Sequence, residues 1–221
     1  MKETTGKTCA ALFKVIVLVT LAQAARATLT IICTNLLSDV GIPQPVIGLL
    51  SVGAVASVLY ALARMKGVPL SVLPKITNSK DRVLYILASG IVVVAVLAVP
   101  FFTRDLSLNT LLSLAYSAIV LPVFEEVLFR GYVWNRLKPC FKVELTVCMV
   151  TSVIYAVWNL GYIDIALSIS NGATAAGVAM LLISHAVLGL VFGLIMGIAR
   201  LLSKNCYPSI LLHIILSLFI G

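Results

Sequence analysis

The sequence predicts an all-α fold: a polytopic bundle of about seven transmembrane helices, with six to eight compatible with the pattern of apolar residues. The 221 residues are 61% hydrophobic and only 11% charged, and the mean hydropathy is +1.13. Soluble domains are about 45–50% apolar and about 25% charged. The apolar residues also form runs long enough to cross a bilayer. We therefore expect a single membrane domain over residues 1–221.

Seven apolar runs define the candidate spans. In chain order they cover about residues 12–37, 46–63, 83–102, 106–134, 145–167, 175–199 and 208–220. The last run is short, and at about 1.5 Å per residue it barely crosses the membrane. Arg26 lies inside the first span. It can pair with an acidic residue of another helix or extend towards the membrane surface, and the sequence leaves both alternatives open.

Basic residues are distributed unevenly between alternate loops. If the N-terminus is cytoplasmic, the outer loops receive essentially Arg104 alone, and the inner side receives the others: Lys2, Lys7, Arg64, Lys66, Lys75, Lys80, Arg82, Arg136, Lys138, Lys142, Arg200 and Lys204. This asymmetry predicts a cytoplasmic N-terminus and an external C-terminus. It also accounts for the net charge of +8 without a nucleic-acid partner. The expected surroundings are the lipids of the cell membrane.

Two adjacent glutamates and an arginine interrupt the fourth span. Glu126 and Arg130 are four residues apart, so they share a helix face and can form an ion pair. Glu125 points about 100° away and lacks that partner. A buried ion pair that only fixes helix packing is one interpretation. The second glutamate favours chemistry or proton transport, because a carboxylate in hydrocarbon costs several kcal/mol.

Other polar residues of the later spans fall at similar depths. Counted along the helices from the inner basic loops, Glu125, Glu126 and His213 can meet in the inner half of the membrane, with Asn159 somewhat deeper. Such a meeting predicts a polar, partly hydrated cavity open to the cytoplasm.

Several remaining polar and aromatic residues have simpler interpretations. We expect His185 to pack or hydrogen-bond within the bundle, and Asp164 to cap a helix or contact water. Tyr155 and Trp158 are expected in the core or at the membrane interface rather than in substrate stacking. The five cysteines have no C-x-x-C spacing, so we predict neither a disulfide framework nor a zinc site.

Three motifs on three separate spans resemble one known family. In chain order they are Glu125-Glu126-x-x-x-Arg130, Tyr155-x-x-x-Asn159 and His213-x-x-x-Ser217. Together they resemble the CPBP family, which contains the type II CAAX prenyl endopeptidases and the bacteriocin-processing and self-immunity membrane proteins. The first motif is the specific part, and the resemblance covers a core of about residues 106–221.

The resemblance implies a glutamate-dependent intramembrane endopeptidase. By position, Glu125 corresponds to the base that activates water, Glu126 is its neighbour, and Arg130 anchors the pair electrostatically. His213 corresponds to the third-motif histidine, which helps to hold the oxyanion.

The sequence departs from the family pattern at two positions. Asn159 stands where the second motif has histidine, and Ser217 stands where the third motif has Asn or Asp. Asn159 can donate a hydrogen bond to an oxyanion but cannot act as a base. Ser217 can also donate one hydrogen bond. The departures allow a weakened enzyme, a homologue that has lost catalysis, or an altered copy of an active protein.

Three functions are therefore compatible with the sequence. The first is an endopeptidase that cleaves a membrane-associated peptide or a prenylated CAAX-type protein near the cytoplasmic face. The second is a non-catalytic family member that acts as a membrane binding or immunity protein, which Asn159 and Ser217 favour. The third is a proton-coupled carrier with Glu125 and Glu126 as a relay, although no inverted repeat supports it.

A metal is associated with this family, but the sequence has no three-ligand set typical of zinc. We predict no cofactor and leave a divalent metal as an open alternative.

Overall fold

The protein is described by a computed structural model that covers residues 2–74, 76, 78–162 and 175–220. These residues form seven helices and no strand, which confirms the prediction of an all-α bundle. The helices are α1 Lys2–Leu37, α2 Gln44–Met65, α3 Ser79–Thr103, α4 Leu108–Cys140, α5 Glu144–Tyr162, α6 Ala175–Ser203 and α7 Tyr207–Ile220. Asp164 and the predicted connection over residues 168–174 lie outside the described residues.

Within the described ranges, six helices are long and apolar enough to cross a membrane. The spans are Thr8–Leu37, Gln44–Met65, Ser79–Thr103, Leu108–Cys140, Glu144–Tyr162 and Gly177–Ser203. The chain is thus an integral membrane protein. Helix α7 has 14 residues and is too short to count as a full span, as its sequence suggested. Helix α4 extends beyond the predicted end at residue 134, because polar residues continue the helix past its apolar part.

Helix α4 departs twice from regular α-helical geometry. Two π-helical segments, Ala115–Val120 and Val127–Val133, flank the α-helical segment Leu121–Glu126. Pro122 lacks a backbone N–H and would collide with the carbonyl four residues earlier in a regular helix, so a wider turn before it relieves the conflict. Short π segments inside helices are frequent at functional sites.

Helix α4 lies in the middle of the bundle, between two groups of buried apolar side chains. One group joins α4 to α1 and α5 through Val19, Phe129 and Tyr155. The other joins α3 to α7 through Val96 and Ile214, and the opposite face of α4 packs against it. The glutamates therefore have protein on both sides rather than lipid.

Helix ends that the charge pattern assigns to one side of the membrane do meet. Lys138 and Lys204, at the ends of α4 and α6, contact Glu144 at the start of α5, with Nζ–Oε distances of 2.7 and 2.8 Å. The loop after α2 reaches the same end, where Asn135 Nδ2 donates to the Pro69 carbonyl at 2.6 Å. The ends of α4 and α6, the start of α5 and the loop after α2 thus lie together, as the predicted alternation of spans requires. The side that faces the cytoplasm stays a prediction.

Helix α6 packs closely against α5 because small residues line the contact. A Cβ atom added to Gly193 would lie 2.9 Å from the Cα of Ser152, and one added to Gly197 would lie 2.6 Å from the Sγ of Cys148. Small residues let the backbones of membrane helices approach each other. The approach brings the Gly193 carbonyl oxygen within reach of Arg130 on α4.

Candidate active site

The two glutamates end the α-helical segment between the π segments of α4. Glu125 is 3% exposed and Glu126 is 0% exposed. A buried carboxylate is tolerated only where partners compensate for the loss of water. The surrounding helices supply different partners to the two side chains.

Glu126 is paired with charged and polar groups from α4 and α7. Arg130 Nη1 lies 3.2 Å from its Oε1 atom, as the spacing of four residues predicted. His213 Nδ1 lies 3.0 Å from the same oxygen. Arg130 is itself held by a hydrogen bond from Nη2 to the Gly193 carbonyl oxygen at 2.8 Å. The Oε2 atom of Glu126 has no hydrogen-bond partner among the described residues.

Glu125 is held instead by three neutral donors from α5. Tyr155 Oη donates to Oε2 at 2.6 Å. Trp158 Nε1 and Tyr162 Oη donate to Oε1 at 2.9 and 2.5 Å. These three hydrogen bonds orient the carboxylate without placing a charged group next to it. The nearest described group that can carry a positive charge is His213, whose Nε2 lies 4.0 Å from Oε2.

The three donors were missed by the sequence interpretation as site residues. Tyr155 and Trp158 are buried in the core as expected, but their polar atoms also bind Glu125. Tyr162 had no predicted role. Positions 155, 158 and 162 share one face of a helix, and a buried Tyr or Trp needs a partner for its O–H or N–H. That pattern could have indicated the contact.

His213 connects the two carboxylates. Its Nδ1 contacts Glu126, and its Nε2 faces Glu125. The rings of Tyr155 and Phe192 pack edge-on against the imidazole, with centroid distances of 6.3 and 5.8 Å. The predicted meeting of both glutamates with His213 is therefore observed.

Asn159 lies one turn after Tyr155 and does not join this group. Its Nδ2 donates to the Tyr155 carbonyl oxygen at 2.8 Å. A Cβ atom added to Gly189 on α6 would lie 2.8 Å from the same nitrogen. Among the described contacts, none joins Asn159 to Glu125, Glu126 or His213. The side chain is directed into the α5–α6 contact.

Ser217 also remains apart from the carboxylates. It lies one turn after His213 on α7 and is half-buried. In the described part of the chain, no hydrogen bond joins it to Glu125 or Glu126. The four residues that the structure brings together are thus Glu125, Glu126, Arg130 and His213.

The described side chains enclose the carboxylates, so the described part of the chain shows no open cavity around them, contrary to the prediction. The hydration of the site stays a prediction. The aromatic donors of α5 fill the space beside Glu125, and His213 is only 6% exposed. An apolar groove of about 380 Å³ lies next to the site between α2 and α4. Its lining includes Val52, Phe124 and Leu128, so it begins one residue from Glu125.

Cys206, just before α7, is not a candidate nucleophile. Burial raises the pKa of its thiol to about 12, so the reactive thiolate is negligible near neutral pH. The Sγ atom donates instead to the Leu70 carbonyl oxygen at 3.3 Å. The cysteine therefore links the loop after α2 to the start of α7.

The described residues contain no group of three or more His, Cys, Asp or Glu side chains that could hold a metal ion.

Comparison with protein families identifies the family of the chain. A family model described as "Type II CAAX prenyl endopeptidase Rce1-like" matches residues 107–219, just over half of the 221 residues. The match contains α4, α5, α6 and most of α7, and with them the polar partners of Glu125 and Glu126 described above. No curated protein and no solved structure matches the chain.

Proposed function

We propose that this chain, which belongs to the Rce1-like family of type II CAAX prenyl endopeptidases, hydrolyses a peptide bond inside the membrane with Glu125 as the general base. The family is proteolytic in general. The observation that carries the proposal for this chain is the unequal pairing of two adjacent buried carboxylates. Glu126 is neutralised by Arg130, whereas Glu125 is only hydrogen-bonded. Because Arg130 engages Glu126 and not Glu125, Glu125 is the carboxylate to which we assign proton transfer with water.

The contact between Glu125 and His213 supports a site for the attacking water. The 4.0 Å between Glu125 Oε2 and His213 Nε2 is too long for a hydrogen bond. A water molecule bound to both atoms at about 2.8 Å fits this separation. In this proposal Glu125 removes a proton from the water while the oxygen of the water forms a bond to the amide carbon. The C–N bond then breaks, and Glu125 returns the proton to the leaving amine.

His213 has the donor that an oxyanion requires. When both ring nitrogens are protonated, Nδ1 donates to Glu126 and Nε2 is free to donate to the oxyanion. Glu126 and Arg130 are then a support that orients the imidazole. Asn159 and Ser217 contribute hydrogen bonds only if substrate binding moves them towards the carbonyl group.

The substrate that we propose is a membrane-associated peptide, with a prenylated CAAX-type protein as the specific case. The apolar groove beside Phe124 supports a lipid-modified substrate, because an isoprenoid chain would bury its surface there next to Glu125. The proposal includes cleavage near the cytoplasmic face of the cell membrane, as the basic loops suggest.

The test is hydrolysis of quenched peptides by the detergent-purified chain. Half of the peptide library carries a farnesyl group, and mass spectrometry identifies the new termini. We expect cleavage by the parent chain, faster for farnesylated peptides. Equal rates for both halves would contradict prenyl recognition while leaving the peptidase intact.

A non-catalytic binding protein is the second candidate. The observation that favours it is the position of Asn159, whose amide is engaged by Tyr155 and faces Gly189 rather than the carboxylates. Asn159→His in the same assay separates the two functions. Cleavage by Asn159→His alone would identify a protease scaffold that is disabled in the parent chain. No cleavage by either chain would favour binding.

A further inference from the structure

Two polar side chains are buried in α1, outside the region that matches the family. Gln23 is 8% exposed and Arg26 is 1% exposed, and both precede the matched residues 107–219. An arginine inside the membrane is costly, so it is retained where it has partners or a function. The structure excludes the alternative that Arg26 extends to the membrane surface.

Both side chains bind the last turn of α5. Arg26 Nε donates to Gln23 Oε1 at 2.9 Å. Arg26 Nη2 donates to the Gly161 carbonyl oxygen at 3.0 Å, and Gln23 Nε2 donates to the Trp158 carbonyl oxygen at 3.2 Å. Side chains that donate to backbone carbonyl groups in the last turn of a helix cap that turn. Gln23 and Arg26 therefore cap the last described turn of α5 from α1.

The capped turn carries two of the three donors to Glu125. Trp158 Nε1 and Tyr162 Oη both donate to Oε1 of Glu125. The guanidinium carbon of Arg26 also lies 4.5 Å from the centre of the Tyr162 ring, which is a cation–π distance. A continuous set of contacts thus leads from Arg26 through the end of α5 to the carboxylate.

The Gln23 side chain packs directly against Gly161. A Cβ atom added to Gly161 would lie 2.2 Å from Gln23 Cγ and 2.3 Å from Gln23 Nε2. A larger residue at position 161 would therefore force Gln23 away from the Trp158 carbonyl oxygen.

We propose that Gln23 and Arg26 are positioning residues for Glu125. They fix the end of α5, so that Trp158 and Tyr162 hold the carboxylate in one orientation. The kinetic consequence rests on the proposed function, since it requires Glu125 to act as a base. The structural consequence, an altered Trp158–Glu125 hydrogen bond, does not depend on hydrolysis.

The first readout is the indole N–H of Trp158. The chain has two tryptophans, so Trp134→Phe leaves Trp158 as the single source of this signal in the ¹⁵N-labelled protein. In this background we compare Arg26→Leu, Arg26→Lys and Gln23→Met with the control Arg64→Leu, which removes an exposed arginine from α2. The Trp158 signal should shift in Arg26→Leu and Gln23→Met, shift less in Arg26→Lys, and remain in place in Arg64→Leu.

The second readout is kinetic. Arg26→Leu should lower kcat on the order of 100-fold, the cost of a displacement of about 1 Å in a reacting group, with little change in KM. Arg26→Lys should restore part of the loss, because it keeps a cation over Tyr162. Gly161→Ala should resemble Gln23→Met.

The outcomes separate the two proposals. Folded variants with an unchanged Trp158 signal would overturn the inference, whatever their activity. If Arg26→Leu does not fold, the Trp158 signal of Gln23→Met tests the inference in the same experiment. A shifted signal in a parent chain that cleaves no peptide would support the inference on geometry and contradict the proposed function.

Discussion

At the scale of single residues, the two adjacent glutamates of the candidate site have different partners. Glu126 contacts two nitrogen-bearing groups that can be cationic, Arg130 and His213. Glu125 accepts hydrogen bonds from three aromatic side chains of α5. A base needs a fixed direction and an affinity for protons, and neutral donors supply direction without adding a full positive charge.

Substitution of Tyr155 tests whether the neutral donors orient Glu125. Tyr155→Phe keeps the ring beneath Arg130, whose Cζ lies 4.8 Å from the ring centre, and removes the hydrogen bond to Glu125. Hydrogen bonds to charged groups contribute about 1.5–3 kcal/mol, so kcat should fall about 10- to 100-fold. The control is Tyr207→Phe, which removes a hydroxyl that contacts Ser89 on the other side of the bundle. Equal kcat values for the two variants would contradict a role for Tyr155 at Glu125.

The sequence predicted the charged part of this site better than its neutral part. The spacing of four residues between Glu126 and Arg130 directly predicts that they share a helix face. Counting residues from the basic loops predicted that His213 lies at the same depth in the membrane as the glutamates. The hydrogen-bond donors to Glu125 were not identified, because an aromatic residue in an apolar span has the same sequence pattern whether it only packs or also donates a hydrogen bond. The position of Asn159 depends on the approach of α6 to α5 and could not be read from its own motif.

At the scale of helices, close packing between α5 and α6 holds the site together. Gly193 provides both the space for Ser152 and the carbonyl group that fixes Arg130. The glycines of α6 recur at intervals of four residues, a pattern typical of contacts between membrane helices. The pattern does not predict which helix they contact. The π segments of α4 could not be predicted either, although Pro122 indicates a departure from regular geometry.

Gly193→Ala tests the helix contact. The added Cβ would lie 2.9 Å from the Cα of Ser152 and 3.0 Å from its carbonyl oxygen, so the two backbones must separate. Overpacking of this kind costs about 1–3 kcal/mol, and we expect a lower Tm in a thermal unfolding experiment in detergent.

Gly90→Ala is the matched control, since no atom lies within 4 Å of a Cβ added there. It should stabilise α3 by about 0.5–1 kcal/mol through helix propensity. If Gly193→Ala unfolds at or above the Tm of Gly90→Ala, the close contact is not required for stability.

At the scale of the whole molecule, composition and charge predicted more than any motif. The fraction of apolar residues and the length of the apolar runs together predicted an all-α membrane bundle. A transmembrane helix needs about 20 consecutive apolar residues, whereas a strand of a membrane barrel needs only about 9–11. The alternation of basic loops predicted which helix ends meet, as the contacts of Glu144 illustrate. A single domain over residues 1–221 and a cytoplasmic N-terminus stay predictions.

Cysteine labelling tests the orientation of the bundle. Lys66→Cys and Arg104→Cys introduce thiols before and after α3, at opposite ends of one span. The background carries Cys9→Ser, Cys33→Ser and Cys140→Ser, which removes the native thiols that are not buried. A membrane-impermeant maleimide should label Arg104→Cys in intact cells and Lys66→Cys only after permeabilisation. The reverse pattern would show that the basic loops face outwards, and the proposed cytoplasmic site would be wrong.

The proposed hydrolysis depends most directly on Glu125, and the decisive measurement is the rate of peptide hydrolysis by Glu125→Gln. The substitution keeps the size of the side chain but cannot take a proton from water. The matched control is Glu144→Gln, which alters a half-buried carboxylate at the start of α5, away from Glu125. We expect Glu125→Gln to lose about 10²- to 10⁴-fold in kcat and Glu144→Gln to stay near the parent rate. Hydrolysis by Glu125→Gln at the parent rate would contradict a glutamate-dependent peptidase.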